Sequence, residues 1–570
     1  MLIIFFAFIY VFIVTYCWGY LFLLILRKTI NLDQTKIPIP ITSVLGIIAL
    51  ATVASIFSLF WRINWEFQVV VLVVSLVAII FIKQFRQFKT NTSENRSHTL
   101  ILSAVLLITF VLLLYTTSTT AKNPDTGIYH AQAIRWIETY RAIPGLANIH
   151  QRLGYNSSWM MVNAIFSFSF LGGQSFHFMT GYLMLTATVY FIGGLRNILN
   201  KSSAISDYVK TIFLLGVTLF MLDQASSPGT DVPAAILVGI TMCEAIKLFE
   251  EGFGDKNPGV VILFALVAFC LTVKLSTVPI FLLALPFIFN ILKFKQTKMF
   301  WTSLLTALTI ILPFLARNVV LTGYLVYPGL TFSPINFDWR IPPEIVKRES
   351  EVIRWFATLP NSSIERYKSL SFKAWSREWF LDLSLKHKAL IAGNILLPFI
   401  MLALFPNKTW RDHLKKNVFM LYSFASSLMG ILFWFISAPA VRFGYGFLLT
   451  TIAIGSALLI TWLAGRYPIN KKVLTVVSIL GCLVIVSIFS YRSVSPGAIS
   501  QRIDSIKAVI VSPREYPQWS TQTCEFKNFT MLCAQEYNSC WYEPFPCVVG
   551  GDTDVEMRSD NILDGFRTNP

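Results

Sequence analysis

The sequence predicts an all-α protein, a polytopic transmembrane helical bundle of about 14 spans. Of its 570 residues, 55% are hydrophobic and only 14% carry a charge, whereas about a quarter of the residues in a soluble domain are charged. Apolar runs recur along the whole chain, and most are long enough to cross roughly 30 Å of hydrocarbon as a helix. We therefore expect a multi-pass protein that contacts membrane lipids.

Alternating apolar and polar stretches divide the chain into five parts. The predicted parts are N-terminal transmembrane helices (1–97), a transmembrane core (98–316) with a first outer loop (119–175), an extracytoplasmic segment (317–388), C-terminal transmembrane helices (389–490) and an extracytoplasmic Cys-rich tail (491–570). The predicted spans lie near 2–26, 38–60, 67–83, 98–118, 176–195, 211–222, 232–248, 259–275, 278–293, 299–316, 389–405, 417–436, 446–464 and 473–490. Residues 157–171 are apolar but short, so we expect them to lie at the outer interface or to re-enter the membrane, with a crossing as the alternative.

The positions of Lys and Arg predict the orientation of the spans. Arg27 and Lys28 follow the first span, and KFKQTK (293–298) is one of several later basic loops. Because cytoplasmic loops carry the excess of basic residues, we place the N-terminus outside. The first apolar segment has no basic residues before it, which favours a membrane anchor over a cleaved signal peptide. The net charge of +17 reflects these loops, and no basic stretch is dense enough to predict a nucleic-acid partner.

Four of the eight cysteines crowd into the tail. They are Cys524, Cys533, Cys540 and Cys547. No His lies near them, which disfavours a mixed Cys/His zinc site, so we predict two disulfides formed in an oxidising compartment. Three pairings are possible, and the spacing does not choose among them.

The first outer loop opens with a concentration of polar side chains, KNPDTGIYHAQAIRWIETY (122–140). Pro124 ends the incoming helix, and Asp125 can cap a new one. Helical spacing from Asp125 brings three further side chains to one side, those of Tyr129, Gln132 and Trp136. Apolar Ile128, Ile134 and Ile137 predict a short amphipathic helix on the membrane surface. In the alternative interpretation, Asp125 is only a cap and Trp136 only an interfacial anchor.

Other polar groups lie at or near the same predicted outer face. They are His130, His150, Arg152, Asp231, Lys274, Arg317 and Arg442. A charge at membrane depth is costly and usually faces a cavity or a partner. Together these groups predict an outer-leaflet cavity with carboxylates and several cations. Such a cavity suits an anionic headgroup, because Arg and Lys can bind a phosphate and stabilise its departure, while a carboxylate can accept a proton.

Four short motifs carry a resemblance to the GT-C superfamily of integral-membrane glycosyltransferases. They are NPDTGIYH with Asp125, TDVPA with Asp231, TVKLSTVP with Lys274 and ARNVVLTGYLVYP with Arg317 and Asn318. The matched layout covers residues 98–460. The stretch from Tyr129 to Trp159 also resembles an uncharacterised group of bacterial multi-pass membrane proteins. The fold expected from the resemblance is GT-C-like, with amphipathic outer-face helices.

The resemblance implies a polyprenyl-phosphate-linked sugar donor and a lipid, glycan or protein acceptor. It implies that Asp125 is the catalytic base, and we assign Asp231 as a second acidic group. We expect Tyr129, His130, His150 and Arg152 to shape the substrate pocket. We expect Lys274, Arg317 and Arg442 to hold the carrier phosphate. No metal ligand is predicted and no cofactor is certain, although a divalent cation stays open.

The predicted location is the bacterial inner (cytoplasmic) membrane, with the active site facing the periplasm or the outside. Nucleotide sugars are made inside the cell, so a site that faces outward requires a sugar carried on a flipped lipid. Two alternatives come from other classes, a transporter or lipid flippase and a non-catalytic envelope assembly protein. A transporter would place its charges near the bilayer midplane, whereas these cluster at one face.

Overall fold

The computed structural model describes residues 1–30, 37–81, 96–171, 173–200, 203–252, 257–329, 333, 335–466, 506–507, 509–535, 539–550 and 554–568. Within these residues the chain is mainly α-helical, and eleven helices are long and apolar enough to cross a membrane. The predicted polytopic helical bundle is therefore confirmed, and the protein is an integral membrane protein.

The α-helices are numbered in chain order. They are α1 (Leu2–Ile30), α2 (Ile39–Phe57), α3 (Trp65–Phe81), α4 (Arg96–Ser118), α5 (Ala131–Thr139), α6 (Ser158–Ile165), α7 (Met179–Leu199), α8 (Ile205–Met221), α9 (Asp231–Glu251), α10 (Gly259–Val273), α11 (Leu285–Lys293), α12 (Thr297–Thr322), α13 (Pro343–Thr358), α14 (Ile364–Ser369), α15 (Phe372–Asp382), α16 (Leu385–Ala403), α17 (Lys408–Lys416), α18 (Val418–Ser437) and α19 (Val441–Arg466). A 3₁₀ helix, Leu275–Ala284, leads into α11 and completes that span.

The observed helices follow the predicted spans closely. Eleven predicted spans coincide with the eleven long apolar helices, and the spans predicted near 67–83 and 259–275 correspond to the shorter α3 and α10. The span predicted at 473–490 lies outside the described residues.

One end of the bundle carries the long polar segments, and we call it the loop-rich end. The start of α1 meets the tail there, where Leu2 N donates to Ile510 O at 2.9 Å. The end of α4 meets the tail at the same place, since Arg514 N donates to Ser118 O at 2.9 Å. The end of α12 also lies there, because Gly145 N of the first loop donates to Val320 O at 2.8 Å.

The contact between α1 and α2 depends on two glycines. A Cβ added at Gly19 would lie 1.8 Å from Thr42 O, and one added at Gly46 would lie 1.7 Å from Thr15 O. Small residues let membrane helices approach until their backbones touch, since apolar burial gives little drive within lipid. A buried hydroxyl group fixes α7 beside the same crossing, because Tyr182 Oη lies 2.9 Å from Thr15 Oγ1.

Residues 157–171 do not cross the bundle. Their helix α6 has eight residues, all buried, and is too short to span roughly 30 Å. Ser157 Oγ anchors one flank on Val273 O at 2.8 Å. After the segment, Phe176 N donates back to Ser167 O at 2.8 Å, so the chain re-enters the bundle and returns.

The helix α5 is amphipathic and lies at the loop-rich end, as predicted. Its Ile134 and Ile137 are 0% and 4% exposed, so they are buried in the protein and do not rest on the membrane surface. The tail covers its other side, where the ring centroids of Trp136 and Phe545 lie 5.1 Å apart. Trp136 is therefore a packing residue and not an interfacial anchor.

The tail forms five short strands held by two disulfides. The strands are β1 (Thr521–Glu525), β2 (Thr530–Ala534), β3 (Cys547–Val548), β4 (Val555–Met557) and β5 (Phe566–Thr568). β2 pairs antiparallel with β1 and parallel with β3, in a register that sets Leu532 opposite Cys547, and β4 pairs antiparallel with β5. The structure selects one pairing from the three that the spacing allowed, Cys524–Cys533 and Cys540–Cys547.

Candidate functional site

Two carboxylates and two cations form a continuous ion-pair chain at the loop-rich end. Arg442 Nη2 donates to Asp125 Oδ2 at 2.6 Å. The same guanidinium places Nε 3.2 Å from Asp231 Oδ2, and Lys274 Nζ donates to Asp231 Oδ1. The side chains of Asp125 and Asp231 are only 13% and 12% exposed, so each depends on its cation partners for its stability.

Helix ends bring these four residues together. Asp231 is the first residue of α9, where the helix dipole favours a negative charge, and Lys274 follows the last residue of α10, where it favours a positive one. Arg442 is the second residue of α19. Asp125 precedes a short helix, Thr126–His130, but its side chain makes no capping hydrogen bond. Asp125 therefore serves the ion-pair chain and does not act as a cap.

A second group of predicted residues extends the chain on the other side of Asp125. Arg152 Nη1 lies 3.7 Å from Asp125 Oδ1, and its guanidinium carbon lies 5.8 Å from the ring centroid of Tyr129. Tyr129 packs edge-on against Tyr155 with ring centroids 5.5 Å apart, and the hydroxyl of Tyr155 donates to Glu349. A line of aromatic and charged groups therefore leads from Asp125 into the polar segment that follows α12.

The two predicted histidines differ in their relation to the cluster. The ring of His130 lies 4.3 Å from that of Tyr129. Burial lowers the pKa of His130 to about 4, and the neighbouring Asp125 and Asp231 offset only part of that effect. Burial and the nearby charge of Arg152 lower the pKa of His150 to about 3. Both rings are neutral at neutral pH, and the structure does not bring His150 into the ion-pair chain.

The structure does not bring Arg317 to this cluster. Its guanidinium is buried in α12 and donates to Ser58 Oγ at the end of α2, at 2.9 Å. Among the described residues it has no carboxylate within ion-pair distance. The expectation that Arg317 joins Lys274 and Arg442 at one phosphate is corrected accordingly. An Arg at the end of an apolar run looks the same in sequence whether it faces a cavity or packs beneath a loop.

A cavity of about 270 Å³ opens beside the ion-pair chain. Its lining includes Asp231 and Arg442 from the chain and five residues that were not predicted from the sequence, Lys122, Asn123, Lys386, His387 and Tyr445. His387 Nε2 and Tyr445 Oη lie 2.8 Å apart, which fixes one wall. The stretch KHK at 386–388 stands where a polar segment meets an apolar span, and that position was the available signal.

The charges beside the cavity favour an anion over a metal. In the part of the chain that the structure describes, no three His, Cys, Asp or Glu side chains come together as metal ligands would. The guanidinium of Arg442 occupies the space between Asp125 and Asp231. These donors do not fit a divalent cation, because the carboxylates already share a cation of their own. Three cations, Arg152, Lys274 and Arg442, accompany the two carboxylates.

Comparison with protein families gives one match. Residues 1–449 match the family described as "Domain of unknown function (DUF8201)". The chain belongs to this family. The DUF8201 region contains the whole ion-pair chain, from Asp125 to Arg442, and ends before the tail.

Comparison with individual proteins adds one structure. No curated protein matches the chain. The cryo-EM structure of the arabinosyltransferase EmbB from Mycobacterium smegmatis is similar at 11% sequence identity with a TM-score of 0.35. The match covers 79% of this DUF8201 chain and 45% of the EmbB chain, so this chain spans less than half the length of that protein.

Proposed function

We propose that this protein is a membrane glycosyltransferase of GT-C type. It moves a sugar from a polyprenyl-phosphate-type lipid donor to an acceptor at the extracytoplasmic face, with Asp125 as the base. The observation that carries the proposal is the convergence of Asp125, Asp231, Lys274 and Arg442 beside one cavity. Maintaining buried charges is costly unless they are used, and perturbed charge clusters in a cleft are typical of functional sites.

The orientation of the bundle supports a lipid-linked donor. The end opposite the loop-rich end carries the basic clusters, among them Arg27, Lys28, Lys295, Lys298, Lys415 and Lys416. The positive-inside rule assigns that end to the cytoplasm, which leaves the cavity on the extracytoplasmic side. Cytoplasmic nucleotide sugars do not reach that side, so the activated sugar arrives on a lipid.

The proposed step is a displacement at the anomeric carbon of the sugar. The acceptor hydroxyl oxygen forms a new bond to this carbon as the bond from the carbon to the phosphate oxygen breaks. Asp125 accepts the hydroxyl proton, and the electron pair of the broken bond leaves with the polyprenyl phosphate. Arg442 and Lys386 line the cavity and stabilise the negative charge of the leaving phosphate.

Asp231 holds the cations in place in this proposal. It pairs with Lys274 and Arg442 together, so it fixes the position of the guanidinium that also contacts Asp125. This differs from a direct acidic role toward the acceptor. Tyr129, His130 and Arg152 lie on the other side of Asp125, where they shape the sugar or acceptor pocket. A lipid, a glycan or a protein acceptor is compatible with this arrangement.

The test works whichever sugar the lipid carries. Cells that lack the native gene and express an Asp125→Asn variant accumulate the sugar-loaded polyprenyl phosphate, detected by mass spectrometry of extracted lipids. The accumulated lipid, with an envelope extract as acceptor source, is then offered to the purified wild-type protein in detergent micelles. A transferase releases polyprenyl phosphate. Intact lipid with the wild-type protein contradicts the proposal and favours a flippase, because micelles have no sides between which a lipid could be flipped.

A further inference from the structure

A disulfide-closed ring of the tail binds the chain two residues beyond Asp125. The Cys540–Cys547 disulfide closes this ring, residues 540–547, which we call the tail ring. Gly127 O accepts hydrogen bonds from Cys540 N and Trp541 N, each at 2.9 Å. The tail ring therefore holds the backbone that carries Asp125 directly, from a part of the sequence more than 400 residues away.

One side chain of the first loop fills the inside of the tail ring. Gln132 Nε2 donates to the carbonyl oxygens of Trp541, Tyr542 and Pro544 at 3.0, 3.3 and 3.0 Å. Its Oε1 accepts from Cys547 N at 3.2 Å. Gln132 is only 1% exposed. A buried amide must find partners for its donors and its acceptor, and here every partner belongs to the tail ring.

Side-chain contacts reinforce the same interface on both sides of Gln132. A Cβ added at Gly127 would lie 2.8 Å from Cε2 of Trp541, so the indole rests on the glycine backbone. Arg135 Nη1 donates to Glu543 Oε1 at 2.7 Å, and its guanidinium carbon lies 4.4 Å from the ring centroid of Tyr542. These contacts align the helix of Gln132 against the tail ring and leave little freedom for the segment that starts at Asp125.

We propose that Gln132 and the tail ring are positioning elements for Asp125. With the ring closed, the segment 125–132 is held so that Asp125 meets Arg442 and Arg152. With the ring open, the carbonyl oxygens that accept from Gln132 separate, and Asp125 loses its fixed position. The proposal rests on the proposed function for its catalytic consequence, but the positioning itself is measurable without any transfer reaction. Correct placement of a catalytic group matters because a displacement of about 1 Å can lower the rate about 100-fold.

The chain supplies a matched control in the second disulfide of the same tail. Cys524–Cys533 joins β1 to β2, away from Gly127 and Gln132. Two double variants are compared as full-length proteins in nanodiscs, Cys540→Ser with Cys547→Ser and Cys524→Ser with Cys533→Ser. Hydrogen–deuterium exchange over residues 123–133 is expected to rise roughly tenfold in the first and to stay at the wild-type level in the second.

Two further measurements separate positioning from general stability. The first double variant and Gln132→Ala are expected to lower kcat for polyprenyl phosphate release by about 100-fold, with an unchanged KM for the lipid. Gly127→Ala keeps both disulfides and Gln132 but displaces Trp541, and it is expected to raise exchange over the same segment even if the ring-opening variant does not fold. Unchanged exchange at 123–133 after ring opening, or equal effects from both disulfides, overturns the proposal. If the wild-type protein releases no polyprenyl phosphate, the proposed function falls, and the exchange comparison still decides the positioning.

Discussion

Arg442 and Asp125 form a 2.6 Å hydrogen-bonded ion pair across 317 positions of sequence. Arg442 begins one span, and Asp125 follows another, so their contact fixes the ends of two helices relative to each other. Because Arg442 also pairs with Asp231, one guanidinium joins both carboxylates of the candidate site. Most of the predictions below follow from this arrangement.

Asp125→Asn is expected to lower the rate of sugar transfer by about 100-fold to 10,000-fold, the range for loss of a general base. Its melting temperature should stay close to that of the wild type, because Arg442 keeps Asp231 as a partner. Asp231→Asn is the contrasting variant, since it leaves Lys274 without its observed ion pair and should lower the melting temperature. Transfer and thermal unfolding are measured on the same preparations. Full activity of Asp125→Asn would exclude its role as the base.

Arg442→Lys should not restore function, although it keeps the charge. The guanidinium uses Nη2 for Asp125, Nη1 for Asn123 at 3.1 Å and Nε for Asp231, and a single ammonium group cannot reproduce this planar fork. We expect a large loss of kcat in the lysine variant, similar to that of Arg442→Ala. A lysine variant with wild-type kcat would show that only the charge matters.

Lys386→Ala should weaken binding of the lipid donor without abolishing turnover. Lys386 lines the cavity and is exposed to solvent, so its contribution should resemble that of a partly solvated ion pair, roughly fivefold in KM. This contribution should shrink at high salt because of screening. Lys373→Ala, an exposed lysine of α15 outside the cavity lining, is the matched control. Equal KM values for the two variants at low salt would remove Lys386 from the site.

Much of the fold follows from the sequence, because span length is set by one physical constraint. A helix such as α9 is apolar over a length that matches the hydrocarbon thickness, and this holds regardless of its neighbours. Asp125, Asp231, Lys274 and Arg442 could be selected for a similar reason, since a charge next to an apolar run is costly and conspicuous.

The remaining features depend on tertiary contacts that local pattern does not encode. Lys386 and His387 stand in a polar segment where charged residues are ordinary. The burial of Ile134 could not be predicted because the tail that covers α5 lies about 400 residues later. The disulfide pairing required the register of β2 beside β3, which four closely spaced cysteines do not reveal.

Glu138 predicts a pH dependence of stability at the interface between the first loop and the tail. Burial raises its pKa to about 7, even though Ser175 Oγ and Tyr542 Oη donate to it at 3.1 and 3.2 Å. A raised pKa favours the folded state at low pH, and this stabilisation is lost as pH rises from about 4.5 through 7. The melting temperature of Glu138→Gln relative to wild type should therefore rise between pH 5 and pH 8. A difference that is constant over this range would contradict the prediction.

Gly46→Leu should disrupt the contact between α1 and α2. Its side chain would begin 1.7 Å from the Thr15 carbonyl oxygen, so the two helices would have to separate. We expect little folded protein in detergent extracts, as judged by size-exclusion chromatography. Gly193→Leu in α7 is the control, since a Cβ there has no atom within 4 Å, and this variant should elute like the wild type. Normal elution of Gly46→Leu would show that the observed crossing is not required.

The central claim is that the cavity beside Asp231 and Arg442 receives the phosphate of a lipid carrier. The most direct measurement compares binding of undecaprenyl phosphate and undecaprenol to the purified protein by native mass spectrometry, since the two lipids differ only in the phosphate. The account predicts that the wild-type protein binds the phosphate lipid at least about tenfold more tightly, and that Arg442→Ala loses this preference while Lys373→Ala keeps it. Equal binding of both lipids by the wild-type protein, or an undiminished preference in Arg442→Ala, would contradict it.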